Sequence, residues 1–354
     1  MRVLVTGHRG YIGAPLVRLL REAGHEVTGV DTNLYDLCTF GNDDAVAPTA
    51  VREDIRELRA ETLSGVDAIA HLAGVCNDPL GDLLPETTLE INHRATTRLA
   101  RLAKEVGVPR FVFSSTCSVY GAAGEDWVTE RSTPNPVTPY GVSKLNAERD
   151  LTLLADEQFT PVLLRSATAY GFSPRIRFDL VLNNLVAHAY TKGLVYLKSD
   201  GRAWRPIVHI EDIARAFVAA IEAPRPLVHN EIFNVGATTE NYEVREIAAI
   251  VARTVPNSRI EHAAGASADT RSYRVDCSKI GRVLPGFRPQ WTAPRGALEL
   301  YARYREFELD PDGFEGPRYQ RLGYLKSLIG KGSIDTSLRW VRPTAEATAP
   351  LAAD

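Results

Sequence analysis

Tyr140 and Lys144 stand four residues apart in TPYGVSKLNAE, a spacing that puts both side chains on one face of a helix. Thr138 or Pro139 marks where that helix starts. A phenol with its ordinary pKa near 10 is a weak base at neutral pH. An ammonium one turn away favours the phenolate and lowers that value, and each unit of depression is worth roughly 1.4 kcal/mol. Such a pair can take a proton from a sugar or alcohol hydroxyl and give it back. Thr116 closes the run FSST ahead of them, and its hydroxyl can hold the same substrate oxygen while charge develops there. Alone, YxxxK is common on exposed helices, and a Thr in such a turn more often bonds backbone. The weight comes from what lies upstream.

Gly7, Gly10 and Gly13 in TGHRGYIG separate a strand pattern, Arg2–Thr6, from a helical pattern at 12–23. Glycine lets the chain bend sharply and approach a pyrophosphate closely, and the helix that follows aims its N–H groups and dipole at that anion. Asp31 ends the next strand pattern, Glu26–Asp31, where a carboxylate accepts from an adenosine ribose and repels a 2′-phosphate. The pattern predicts a dinucleotide, NAD before NADP, with Tyr11 and Ile12 of the loop among its contacts; the neighbouring His8 and Arg9 leave NADP in play. A bound nicotinamide cation adds to the pull of Lys144 on the phenol.

The elements that must carry these residues alternate. Strand patterns recur at 68–72, 110–114 and 161–165, with helical patterns at 86–106 and 140–157. Nearly continuous apolar strands separated by helices predict an α/β fold, a doubly wound parallel sheet covered on both faces. Gly24-His25 and Gly107-Val108-Pro109 punctuate two helix ends. After about residue 170 the alternation loosens and proline becomes frequent, with further strand–helix pieces at 206–220 and 231–251. The expected division is a dinucleotide-binding domain over 1–170, joined by sheet elements from about 206–236. A smaller, mainly substrate-binding lobe occupies 171–342, packed against the strand ends where ligands sit, and 343–354 form a frayed, alanine-rich tail.

Bulk properties narrow the partners. The 354 residues are 44% apolar, with 41 basic and 44 acidic side chains spread along the chain for a net charge of −3. No basic block favours nucleic acid. No run nears the roughly 18 apolar residues of a membrane span, and Met1-Arg2 leads straight into a strand pattern rather than a secretory h-region. Cys38, Cys76, Cys117 and Cys277 lack metal-ligand spacing, so four reduced thiols in a cytoplasmic protein without a metal are expected.

Taken together, TGHRGYIG, Asp31, Asp54-Ile55, HLAG at 71–74, Asn92, FSST and Tyr140/Lys144 resemble the extended short-chain dehydrogenases/reductases, the nucleotide-sugar epimerase/dehydratase group, over residues 1 to about 280. The resemblance implies a Rossmann sheet with a C-terminal substrate lobe, bound NAD, a nucleotide-sugar substrate and a homodimer formed through the helices at 86–106 and 140–157. It puts Asp54 and Ile55 near adenine, lines the dinucleotide with Leu72, Ala73, Gly74 and Ser114, and gives Asn92 a supporting role. Lys144 also reaches the nicotinamide ribose. At the sugar it implies Cys76 and Thr116, with Cys117 either an acid or base beside them or, the preferred reading, a small packed thiol, and at the nucleotide diphosphate or sugar Asn184 of Asn183-Asn184-Leu185. Arg205 of WRPIVHIED and Arg271 of DTRSYRVD resemble phosphate-facing arginines, a suitable choice because guanidinium forks pair phosphate oxygens bidentately.

Departures from the pattern are informative. The 4,6-dehydratases of the group carry an acid pair directly after the active-site Thr, where this chain has Cys117 and Ser118. Serine cannot take a proton from carbon, which disfavours 4,6-dehydration. Thr168 stands where the epimerases usually have Asn, and Pro206 replaces an Asp. The resemblance therefore implies epimerisation through a transient keto-sugar, most simply at carbon 4. A net dehydrogenase or 4-keto-sugar reductase uses the same three residues. A dinucleotide-sensing scaffold has no use for Tyr140, Lys144 and Thr116 together.

Overall fold

The computed structural model describes residues 1–42, 49–76, 78–121, 126–267 and 272–341. Fourteen strands are described: β1 Arg2–Thr6, β2 Glu26–Asp31, β3 Thr49–Arg52, β4 Ala68–His71, β5 Arg110–Thr116, β6 Trp127–Val128 and β7 Thr160–Ser166. They continue with β8 Thr168–Tyr170, β9 Leu194–Ser199, β10 Trp204–His209, β11 Glu231–Val235, β12 Asn241–Glu243, β13 Arg259–Ser267 and β14 Arg274–Val275. Seven make one sheet in the order β11-β7-β5-β4-β1-β2-β3, with every neighbouring pair parallel. The order reverses between β1 and β4, and such a switch point opens a crevice at the strands' carboxyl ends.

Both faces are covered because both faces of each inner strand are apolar. Val3, Val5 and Ala70 pack against Leu16, Val17 and Leu20 of the Gly13–Glu22 helix and Ile213 and Phe217 of the Ile210–Glu222 helix. Leu4, Ile69, Phe111 and Leu163 meet Leu99 and Ala103 of the Thr96–Glu105 helix and Ala147 and Leu151 of the Pro139–Leu154 helix. Each fully buried leucine, valine or phenylalanine contributes about 1.5–3 kcal/mol.

At Ala167 the chain steps off this sheet. β8 begins one residue after β7 and pairs with β10, which pairs in turn with β12. Of the stretch 206–236, expected to return to the main sheet, β11 does so, whereas β10 follows β8 into this separate three-stranded sheet. The lobe has its own core of Leu182, Val186, Ile247, Val251, Leu300 and Tyr304. The helical pattern at 86–106 is also not one helix: Pro85–Leu89 and Thr96–Glu105 are joined by a widened π turn, Glu90–Ala95.

Candidate functional site

The loop after β1 is folded tightly on its neighbours. Gly7 has φ +73°, and a Cβ on it would lie 2.8 Å from the Ala73 amide nitrogen; one on Gly13 would lie 2.1 Å from the Gly7 carbonyl oxygen. Any larger residue lifts the loop and fills the space over the strand ends. At the end of β2, Asp31 accepts hydrogen bonds from the Arg9 amide (3.1 Å) and the Asn33 amide (2.9 Å), which fixes its carboxylate and leaves lone pairs for a diol. His8 is buried, its ring where a Gly29 side chain would stand. Burial keeps its pKa below the ordinary 6.5 despite Asp31, so it is neutral at pH 7, and Arg9 is paired with Asp36 at 2.6 Å. The low glycine loop, the helix N-terminus and the anchored Asp31 fit a dinucleotide without a 2′-phosphate.

The other expected dinucleotide residues divide into two kinds. Leu72, Ala73 and Gly74 follow β4 into the crevice, and a Cβ on Gly74 would come 3.6 Å from Lys144 Nζ. Ile12 and Ser114 line a cavity that reaches from the strand ends into the lobe. Asn92, wholly buried in the π turn, accepts from the Val75 amide (2.7 Å) and donates to the Val75 carbonyl (2.8 Å), clamping the loop after β4. Such turns are frequent at functional sites. Tyr11 turns its hydroxyl inward, donating to the Gly171 carbonyl at 2.7 Å and accepting from Asn183 at 2.9 Å. Ile55 belongs to the core, and Asp54 is taken by the Arg56 fork at 2.9 and 2.6 Å.

A cavity of about 1050 Å³ runs from Ile12 past the ends of β5 and β7 into the lobe. Thr116, Tyr140, Cys76, Asn184 and Arg205 all line it. Thr116 is the last residue of β5. The Pro139–Leu154 helix starts as expected, Thr138 accepting from the Gly141 amide at 3.1 Å with Pro139 in the first turn.

The electrostatics differ from the expectation. Burial pushes the Tyr140 phenol well above 10, and the Cys76 thiol and Asp78 carboxylate add to this; hydrogen bonding with Thr116 and the Arg177 guanidinium pull the other way. Lys144 is not among the main groups acting on the phenol. It is buried, donates to the Ser114 carbonyl at 2.8 Å and lies 4.6 Å from the Phe113 ring centroid. Burial lowers its pKa, with Cys76 and Glu148 opposing. The helix turn that carries Lys144 thus points its ammonium at the sheet, and the cation that bears on the phenol comes from the lobe. Arg177 holds Asp179 bidentately at 3.1 and 2.8 Å, and both line the cavity.

Arg177 and Asp179 are absent from the residues that the sequence singles out. Their only signal is an i,i+2 charge pair in PRIRFD after AYG, which any solvated loop can carry. Of the Asn183-Asn184 pair, Asn184 faces the cavity, while Asn183 is buried and bonds Gly171, Tyr11 and Arg177. Cys117, a candidate sugar contact read preferably as a packed thiol, points into the core. It is fully buried beside Tyr120, Val128 and Cys277 and donates to the Arg165 carbonyl at 3.2 Å, and burial drives its pKa up. β5 ends at Thr116, and Cys117 opens the tight turn Cys117–Tyr120 that Thr116 caps, which carries one side chain to the cavity and the next into the core. Arg271 lies outside the described residues.

Among the described residues no cluster of metal-ligating side chains occurs, and no helix is long and apolar enough to cross a membrane.

The chain is similar to a Bacillus subtilis protein named as an uncharacterized UDP-glucose epimerase, YtcB, with 30% identity over 71% of this chain and 81% of the relative. In structure it is similar to TunA, described as an NAD dependent NDP-hexosamine 5,6-dehydratase involved in tunicamycin biosynthesis, at 25% identity and a TM-score of 0.77, over 88% of this chain and 99% of that one. It is also similar to the UDP-glucuronic acid 4-epimerase of Bacillus cereus in complex with UDP-glucuronic acid and NAD, at 25% identity and a TM-score of 0.74, over 86% and 99% of the two chains. Residues 3–236 match the sequence profile of a single family. The chain belongs to the NAD dependent epimerase/dehydratase family.

Proposed function

We propose that this protein is an NAD-dependent nucleotide-sugar 4-epimerase. The observation that carries the reading is the single cleft in which Tyr140 and Thr116, at the carboxyl end of the sheet, face Arg177, Asn184 and Arg205 of the lobe. Similarity to epimerases acting on UDP-sugars supports the same substrate class. NAD, when bound, supplies the acceptor and donor of hydride. The low glycine loop and Asp31 hold the dinucleotide, and Lys144 fixes the end of β5 through the Ser114 carbonyl. Thr116 holds the reacting oxygen of the sugar. Tyr140 takes the proton of the 4-hydroxyl as the carbon–hydrogen bond breaks. The cavity gives the 4-keto sugar room to turn its opposite face toward the dinucleotide that would be held there, and Tyr140 would return the proton to the 4-oxygen. Arg205 and Asn184 bear on the diphosphate and the sugar. The same reading carries a cytoplasmic homodimer with the outer face of the Pro139–Leu154 helix in the interface, a helix on which Leu153 is 82% exposed.

Mass spectrometry of products from a panel of nucleotide sugars incubated in deuterium oxide tests this. The expected product is an isomer of unchanged mass, without deuterium on carbon and without net NADH. Loss of water with deuterium incorporation would indicate dehydration, and stoichiometric NADH a net dehydrogenase; either overturns the proposal. The dehydrogenase shares the first half-reaction, so stereochemistry and redox balance separate the two.

A further inference from the structure

Residues 318–341 leave the lobe and run back over the dinucleotide half. Arg318 donates from Nε to the Leu37 carbonyl at 2.9 Å and from Nη2 to the Thr39 carbonyl at 3.0 Å, in the loop after β2. The Arg321–Gly330 helix then buries Leu325 against Cys38, Val75 and Leu80, so one helix touches the loops after β2 and after β4. Beyond it Ile334 and Trp340 bridge antiparallel, and the turn between them buries Ile334 and Leu338 in the same cluster.

Several side-chain contacts of this hairpin reach the segments after β2 and β3 and the Pro85–Leu89 helix. Arg56 donates to the Ser337 carbonyl at 2.8 Å, Thr87 to the Thr336 carbonyl at 3.0 Å, and Arg339 pairs with Glu57 at 2.5 Å. The Trp340 indole N–H donates to the Thr32 carbonyl at 2.8 Å, one residue beyond Asp31. Its ring lies 5.0 Å from the Arg52 guanidinium carbon, and Arg52 is the register partner of Asp31 across β2 and β3. Trp340 therefore sits over the carboxyl ends of two strands, beside the carboxylate placed to read a ribose.

We infer that the hairpin of residues 333–341, with Trp340 as its contact side chain, is the outer wall of the adenosine end of the dinucleotide cleft and slows release of the cofactor. The inference rests on the proposed use of NAD. A dinucleotide in an open α/β sheet lies across the carboxyl ends, and an indole there offers a flat face to a purine. The wall is tied to β2, to the loop after β3 and to the Pro85–Leu89 helix, so these contacts must open together before the adenosine leaves. An enzyme that restores its NAD within each turnover has no need to release it, and a tied wall suits that economy.

The test measures the dissociation of radiolabelled NAD, chased with excess unlabelled NAD, from the full chain, Trp340→Ala, Trp340→Phe and a chain stopped after Gly332. Removing a stacking face and a hydrogen bond worth together about 1.4 kcal/mol makes release about tenfold faster in Trp340→Ala. Trp340→Phe, which keeps an aromatic face, recovers part of that loss, a rescue that general loosening of the fold does not give. The stopped chain releases fastest. Release from Trp340→Ala at the full-chain rate overturns the inference and leaves the epimerase reading intact. Slower release overturns it too, because Trp340 then occupies the place of the purine. A full chain that takes up no NAD overturns both. The first two variants alter a residue 37% exposed, so they decide the matter even if the stopped chain does not fold.

Discussion

The two walls of the cavity hold their polar groups by different means. On the sheet side, Thr116 ends a strand whose seven residues pair in register with β7, and Tyr140 rides on a helix capped by Thr138. Backbone hydrogen bonds and apolar packing set these positions, with little dependence on neighbouring side chains. On the lobe side Arg177, Asp179 and Glu315 come from irregular segments, and each is held by a charged neighbour. Arg177 forks Asp179, and Glu315 pairs with Lys192. A substitution on the first wall should therefore remove one function cleanly. On the second it should also release a partner, so activity, pH dependence and stability shift together.

Tyr140→Phe is the sharpest probe of the sheet wall. Loss of a positioned acid–base group costs about 10²–10⁴ in rate, and the phenol supplies no packing that the phenyl ring lacks. The expectation is a kcat lower by that factor, with NAD content and the thermal midpoint of the wild type. A variant within about tenfold of wild type would show that another group moves the proton. A fall in the midpoint would break the contrast between the walls.

Arg177→Ala probes the lobe wall. Burial raises the Tyr140 phenol, and Arg177 is the guanidinium that opposes it. With that cation gone the phenol rises further, so a smaller fraction is phenolate at any given pH. The basic form that accepts the proton then appears only at higher pH. The rising limb of kcat/KM, which reports the free enzyme, moves to more alkaline pH, and activity near pH 7 falls. Asp179 is also affected. Burial raises its pKa, and the charge and hydrogen bonds of Arg177, with a backbone hydrogen bond and Arg321, together more than reverse this, so losing the fork from a buried carboxylate costs about 3 kcal/mol. Arg177→Lys keeps the charge but not the fork and should restore the limb more than the stability. A limb that stays put in Arg177→Ala would remove the guanidinium from the chemistry.

The same contrast explains what is legible without the fold. β1 and β2 begin and end where the apolar pattern puts them, and Thr138 caps the helix whose start it marks, because hydrophobic periodicity and turn chemistry act locally. Asp31 and Tyr140 are legible because strand ends and helix turns convert spacing into position. The π turn around Asn92 is not legible: it forms to let one amide clamp Val75 from 17 residues away, a tertiary demand with no local signature. Arg177 is invisible for a related reason. Its place depends on Asp179, Asn183 and the burial that the lobe provides. Lys144 is legible in position but not in direction, since the carbonyl that draws it belongs to β5, 30 residues earlier.

Cys117 and Cys76 offer the smallest effect and a direct check on side-chain direction. Both are candidate sugar contacts, yet only Cys76 lines the cavity, while Cys117 is enclosed with Tyr273 and Val275, the packed thiol that is its preferred reading. Cys117→Ala removes a sulfur from a packed site and leaves the Arg165 carbonyl without its thiol donor. The expected cost is about 1 kcal/mol of stability, with kcat and KM within about twofold of wild type, the range of a change of roughly 0.4 kcal/mol. Alkylation of the native protein should mark Cys76 first and be slowed by a bound nucleotide sugar, whereas Cys117 should react only on unfolding, because reactivity requires an accessible thiolate. A tenfold loss of kcat in a folded Cys117→Ala variant, or protection of Cys117 by substrate, would mean that this thiol turns toward the sugar when the cavity fills, and that the turn after β5 does not hold it in the core.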